Sequence, residues 1–397
     1  MSEKLNLLCM SFWLPPLIRP QSILIGKMLP EWINQNLKPV VMGYTSTLDW
    51  EIDLPVCRIP QQLSVRIIPR VPVLSQFVDG RYLNKLYKVA SVLIREHKIN
   101  IVFSFSNPQK SNILGAMLRQ RLGVKFVSHF SDPYFDNPFK NFKGAIARIT
   151  LERERFIIEQ SDRIIFVNEA LADLVMKKYS SSFQKKVVII PHGYDKKDYP
   201  LSVGGNEKCV FSHIGAFYEQ RTPESFFAAL RDTIKKYPDI KKKILVRLVG
   251  AVNDYAGYSK IKLNSLIVEY GLQKIVLVEE AVSYKLSLKL MKQSDCLLIV
   301  DAEIKNSPFL PSKLIDYIGS ETEIMAITTE NSPTDIVVNK IGMSTFRHNE
   351  IEKISEFIVN KVKNGEHLIS DKKFSRQFSV QETTKQLIRV FRFVLSE

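Results

Sequence analysis

Cys296-Leu297-Leu298-Ile299-Val300-Asp301-Ala302-Glu303-Ile304-Lys305-Asn306-Ser307-Pro308-Phe309-Leu310-Pro311-Ser312-Lys313-Leu314-Ile315-Asp316-Tyr317-Ile318-Gly319-Ser320 joins an unbroken apolar run to a polar loop and then to a helical pattern. A short, continuously apolar run bounded by turn signals reads as a strand buried on both faces. Pro311-Ser312 marks a helix start, and the apolar residues that follow recur at helical spacing. The stretch is therefore a βα unit with its loop at the carboxyl end of the strand.

The same rhythm extends in both directions. Upstream strands are expected at Leu5–Met10, Pro39–Met42, Ile99–Ser104, Lys125–His129, Arg163–Val167 and Val187–Ile190, with helices near Ser22–Gln35, Gly80–His97, Lys110–Leu122, Phe142–Gln160 and Glu169–Tyr179. A second series has strands at Val210–Ile214, Leu245–Val249, Ile275–Leu277, Cys296–Val300 and Ile324–Ile327. Its helices lie near Pro223–Tyr237, Lys260–Tyr270, Tyr284–Gln293, Ser312–Ser320 and Glu350–Lys363. Strand and helix alternating at this spacing build parallel sheets covered on both faces. Two such series predict an α/β chain of two Rossmann-like domains whose strand ends face each other across a cleft. Pro191-His192-Gly193 and the polar stretch Asp195–Glu207 place the boundary: residues 1–195, then 196–370, with a terminal helical segment 371–397 packing back across the domains.

Composition narrows the functional classes. The 397 residues are 45% apolar and 24% charged, so each half is large enough for its own core. No window approaches the roughly 18 uninterrupted apolar residues of a membrane-spanning helix. The start, Ser2-Glu3-Lys4, runs straight into an apolar strand and lacks the pattern of a secretory signal, which predicts a cytoplasmic protein. Cys9, Cys57, Cys209 and Cys296 are far apart, with no Cys-x-x-Cys spacing, so reduced thiols and no metal site are expected. The net charge is +15. Residues 1–200 hold 28 Lys and Arg against 17 Asp and Glu, so most of the excess sits in the first half. Such a surface favours anionic partners.

Ligands of open parallel sheets bind beyond the carboxyl ends of the strands, so the loops there carry the candidates. After the first strand, Ser11–Ser22 holds three prolines and Arg19 ahead of a helix start, equally a phosphate contact or a stiff loop. His129 and Asp132 follow the Lys125 strand, where a core no longer hides them, and suit a sugar hydroxyl or a proton. Gly215 ends a strand and admits close approach of a ligand, and Arg221 offers a forked donor to phosphate. Lys313, in the first turn of its helix, opposes the dipole unless an anion neutralises it. A diphosphate would do so, with Asp316 one turn on to accept from ribose hydroxyls. A solvated Lys–Asp pair is the simpler account of a motif this short. No Gly-x-Gly-x-x-Gly and no Walker loop occurs.

Taken together, Pro15-Pro16 to Ser22, His129–Tyr134, Val188–Asp195, His213–Pro223 and Phe309–Ile318 resemble, in that order, a GT-B glycosyltransferase of the family 4 type. The resemblance implies an acceptor-binding first domain and a second domain that binds a UDP- or GDP-sugar. It implies a retaining, metal-independent transfer with no other cofactor. It places His129 and Asp132 at the reacting sugar. It assigns Gly215, Arg221, Ser307, Phe309, Leu310, Lys313 and Asp316 to the donor, and Val282, within Glu280–Tyr284, to the base. Two positions depart from the family. Pro308 stands where the first Glu of its Glu-x7-Glu pair belongs, with Asp316 at the second, and Arg221 replaces the usual Lys. Glu303, Asp301 or main-chain groups around Ser307–Leu310 are the candidates for the vacant sugar contact.

Arg81–Lys88 and Phe139–Lys143 mix cations with aromatic residues, as solvated helix faces or as surfaces resting on anionic lipid. With the basic first half, peripheral contact with the inner face of a membrane and a glycan or lipid-linked acceptor are expected, in cell-surface glycan synthesis. The competing readings are a GT-B sugar-nucleotide epimerase, a silent GT-B scaffold and a basic nucleic-acid binder. The last has no helix-turn-helix, RNA-recognition or zinc-finger signature, so no nucleic acid is expected.

Overall fold

The structure, a computed structural model, describes residues 4–17, 19–46, 50–62, 72–252, 258–365 and 368–397. Ser2 and Glu3 of the amino-terminal reading and Ile18 of the first proline loop lie outside these. The chain divides into two units, Met1–His192 with Val380–Glu397, and Gly193–Ser379.

The first unit runs β1 (Leu7–Met10), α1 (Pro20–Asn34), β2 (Val40–Tyr44), β3 (Val56–Ile59), α2 (Pro72–Glu96), β4 (Ile101–Phe105) and α3 (Lys110–Leu122). It continues through β5 (Lys125–Phe130), α4 (Gly144–Gln160), β6 (Arg163–Phe166), α5 (Glu169–Met176), α6 (Ser181–Gln184) and β7 (Val187–Ile189). Its seven strands lie in the order β3-β2-β1-β4-β5-β6-β7, every pair parallel. β1 shows why the sequence forms this sheet. Leu8 and Met10 enter the core on one face, and Leu7 and Cys9 the core on the other, so a continuous apolar run fills both layers.

The second unit runs β8 (Cys209–Ile214), α7 (Glu224–Lys236), α8 (Ile240–Lys243), β9 (Ile244–Val249), α9 (Lys260–Glu269), β10 (Val276–Glu279) and α10 (Tyr284–Lys292). There follow β11 (Cys296–Val300), α11 (Ser312–Ser320), β12 (Ile324–Ile327), α12 (Pro333–Lys340), β13 (Ser344–Phe346), α13 (Ile351–Asn364) and α14 (Lys372–Ser375). Six parallel strands are ordered β10-β9-β8-β11-β12-β13. β11 repeats the two-faced logic, with Cys296, Leu298 and Val300 in one layer and Leu297 and Ile299 in the other. In both sheets the strand order reverses beside the first strand, between β1 and β4 and between β8 and β11. This is the doubly wound arrangement, and the reversal opens a crevice beyond the carboxyl ends of those strands.

The unit boundary falls between His192 and Gly193, three residues before the expected one. The carboxyl-terminal segment 371–397 is not one helix. A short helix and a 3-10 turn end at Phe378, and Ser379 is extended (φ −74°, ψ 144°) and bridges Tyr194. Then α15 (Val380–Ser396) joins the first unit, where Phe391 packs 5.9 Å from Trp32 of α1. β3, β13 and α12 were not expected from the sequence. The two strands are short, half-buried sheet edges, which lack the continuous apolar run of the central strands.

Candidate functional site

In the second unit the crevice between β8 and β11 is built around one lysine, Lys313. Gly215, at the end of β8, has φ +114°, and its N–H donates to the Val249 carbonyl at 2.8 Å. A Cβ there would sit 3.2 Å from Lys313 Cε and Nζ, so glycine both permits the turn and leaves room for the lysine. Lys313 belongs to the first turn of α11, a helix whose start has no side-chain cap. Tyr317, one turn further on, accepts a 2.8 Å bond from the Ile214 N–H and fixes the helix to β8.

Lys313 Nζ lies 2.9 Å from His213 Nε2 and donates to the Ala216 carbonyl at 3.3 Å. Burial, then the guanidinium of Arg221, push its ammonium down to about 7, against an upward pull from Asp301. Arg221 sits over the rings of Tyr218 and Phe309, at 5.6 and 5.7 Å. Two cations thus approach each other at a switch point, an arrangement that an anion relieves. Asp301, at the end of β11, is buried. Its Oδ2 accepts from Thr328 Oγ1 at 3.0 Å, and its Oδ1 has no hydrogen-bond partner among the described residues.

Asp316 is buried on the same helix. Its Oδ1 accepts from the Tyr284 hydroxyl at 3.0 Å, and its carbonyl from the Tyr199 hydroxyl at 2.7 Å. The solvated Lys–Asp pair is therefore not what α11 presents. Burial and the Asp316 carboxylate push the Tyr284 hydroxyl far above its ordinary range. Ser307, Phe309 and Leu310 are buried rather than held in an open polar loop, and Ser307 Oγ accepts from the Phe309 N–H at 3.4 Å. Val282 is half-buried beside the core of the unit. Beyond Arg221 a depression of about 440 Å³ is lined by Glu219, Thr222, Glu224, Ser225, Glu303 and His348.

In the first unit His129 corrects an expectation. It is 4% exposed, stacked on Phe105 at 4.1 Å and 12°, and 5.7 Å from the ring of His192. As the penultimate residue of β5 it pairs with Phe105 of β4, so the strand carries it into the core instead of past it. Burial, then His192, hold its pKa well below the usual imidazole range, and Nδ1 has no hydrogen-bond partner among the described residues. Asp132 stands in the following loop, half-buried, and accepts from Asn107 Nδ2. His192, visible in the sequence only as part of a strand break, is buried too, pushed down to about 3 by burial and Lys27. Among the described residues no group of three or more His, Cys, Asp or Glu side chains is arranged to hold a metal ion.

Residues 42–198 match the sequence profile of Glycosyltransferase Family 4. No curated protein matches the chain in sequence. Among solved structures the chain is similar to sucrose-phosphate synthase from Thermosynechococcus elongatus, with a TM-score of 0.73 at 13% identity over 99% of this chain and all (100%) of that one. It is similar to a glycosyltransferase from Rickettsia africae, with a TM-score of 0.71 at 14% identity and 99% of each chain covered. It is also similar to HepE of Anabaena, solved with UDP and glucose, with a TM-score of 0.67 at 12% identity over 97% of this chain and 99% of that one. Two doubly wound parallel sheets and the similarity of the whole chain to these structures show the GT-B fold, and residues 42–198 carry the sequence similarity to glycosyltransferase family 4.

Proposed function

We propose that the chain is a retaining, metal-independent glycosyltransferase that moves a sugar from a UDP- or GDP-sugar to a saccharide or lipid-linked acceptor in cell-surface glycan synthesis. The observation that carries the reading is the buried Lys313 beside the Gly215 turn, within the field of a second cation, Arg221, an arrangement that a diphosphate would neutralise. HepE, similar in fold, is solved with UDP and glucose, which supports a nucleotide-sugar donor. In this reading Asp316 receives the ribose, and the region of Val282 and Tyr284 the base. The acidic depression beside Arg221 offers carboxylates to sugar hydroxyls, a task that Pro308 leaves vacant.

The acceptor hydroxyl attacks the anomeric carbon as the bond from that carbon to the diphosphate oxygen breaks. The hydroxyl proton passes to the departing diphosphate. Lys313 and Arg221 stabilise the negative charge that gathers on the leaving group, where fixed cations contribute most. His129 and Asp132 serve the reacting sugar. The basic surface of the first unit holds the enzyme at the cytoplasmic face of an anionic membrane.

Thermal unfolding with UDP, GDP and ADP tests this. One nucleotide is expected to raise the melting temperature by mass action. Lys313→Ala and Arg221→Ala abolish the rise, and Asp316→Ala reduces it. The absence of a rise with every nucleotide would overturn the donor reading.

A further inference from the structure

His213 is 1% exposed, and nothing in the proposed reaction uses it. Its Nδ1 lies 2.9 Å from the Leu298 carbonyl. A carbonyl only accepts, so Nδ1 carries the proton and Nε2 presents a lone pair. That lone pair is 2.9 Å from Lys313 Nζ. The ring cannot turn aside, because Phe217 stacks on it at 4.0 Å and 13°. Two bonds thus run in series from β11 through β8 to α11: Leu298 fixes the tautomer, the tautomer fixes the acceptor, and the acceptor fixes the ammonium.

We propose that His213 is a positioning residue for Lys313: as a neutral acceptor it holds the ammonium over the Gly215–Ala216 turn, in place for an incoming diphosphate. The inference rests on the donor reading above and adds to it the element that aims the cation. Burial, then the charge of Lys313, oppose protonation of His213 and outweigh the upward pull of the Leu298, Gly215 and Ala216 carbonyls, so the arrangement holds at neutral pH. The groups that face Lys313 are His213 from β8, Arg221 from the loop after it and Asp301 at the end of β11. On its own helix stand Asp316, engaged by Tyr284, and Tyr317, which is bonded to Ile214. Burial, then Arg221, discharge Lys313 as pH rises past about 7, whereas a bound diphosphate favours its charged form. Binding therefore takes up a proton, and affinity falls as pH rises above neutrality.

Calorimetric titration of UDP and GDP into the whole chain, from acid to alkaline pH, tests the assignment. His213→Phe keeps a stacked ring and removes the acceptor; it is expected to weaken binding roughly tenfold near neutrality, the scale of one lost hydrogen bond to a charged group. It is also expected to move the fall in affinity to lower pH. His213→Gln, which retains an accepting oxygen, recovers most of the affinity and the original pH profile. A histidine that served stability alone would lower the melting temperature and leave the pH profile unmoved. Binding by His213→Phe with unchanged affinity and profile would overturn this inference and leave the donor reading intact. Failure of the unaltered chain to bind any nucleotide would overturn the donor reading itself. A nitrogen-15 imidazole spectrum of the unaltered chain needs no variant. Nδ1–H with a bare Nε2 is expected for His213, and a protonated Nε2 overturns the assignment.

Discussion

At the scale of the residue, Gly215 shows how one position serves two needs. An alanine there meets a backbone strained by a φ of +114°, at a cost of about 1–2 kcal/mol, and a Cβ 3.2 Å from the end of Lys313. The lysine is the softer partner and gives way. Gly215→Ala is therefore expected to lose more in nucleotide affinity than in melting temperature, which calorimetry and thermal unfolding read separately. Gly215, Arg221 and Lys313 were legible because each combines a residue type suited to phosphate with a place at a strand end. His213 was not, since its role depends on which carbonyl meets its ring, and spacing along the chain carries no trace of Leu298. For His129 the sequence told the strand but not the depth. His129→Ala is expected to leave nucleotide binding intact and lower turnover; unchanged turnover would remove it from the reacting site.

Elements were legible where burial is continuous. The expected bounds of α3, β11, α11 and β12 coincide with the observed ones, because each is a strong apolar pattern closed by a clear stop such as Gly123, at φ +71° after α3. One edge of each sheet escaped, while the opposite edges, β7 and β10, were expected. β3 and β13 carry Arg58 and Ser344-Thr345 where β7 and β10 carry short apolar runs, so their stretches lack a core signal. α12 carried a signal that the apolar pattern overshadows: Ser332 before Pro333, with Asp335 three residues on. Ser332 Oγ accepts from the Asp335 N–H at 3.1 Å and shares a 2.8 Å bond with Thr328. Ser332→Ala is expected to cost about 1–2 kcal/mol in chemical denaturation without altering nucleotide binding.

At the scale of the whole molecule, charge and connectivity each set an expectation. Lys85, Lys88, Lys140 and Lys143 are exposed, as is Phe139, while Leu83 and Leu86, on the same helix as the first two, are buried. Exposed cations bind anionic bilayers through charge, with each one near the surface adding about 1 kcal/mol. Sedimentation with anionic vesicles is expected to fall steeply as salt is raised; binding indifferent to salt and lipid charge would remove the membrane from the proposal. No described helix is long and apolar enough to cross a bilayer.

Connectivity gives Phe391 a reach far beyond its place in sequence. It is fully buried against Trp32 and Phe103, so Phe391→Ala is expected to cost about 3–5 kcal/mol, read from unfolding of the first unit. The same contact sets an order of events on the ribosome. The strands that begin the chain emerge early, yet the helix that shields Trp32 is translated after every element of the other unit. A premature stop codon after Ser379 would thus damage the portion made first, and proteases would be expected to attack that portion while Gly193–Ser379 stays intact.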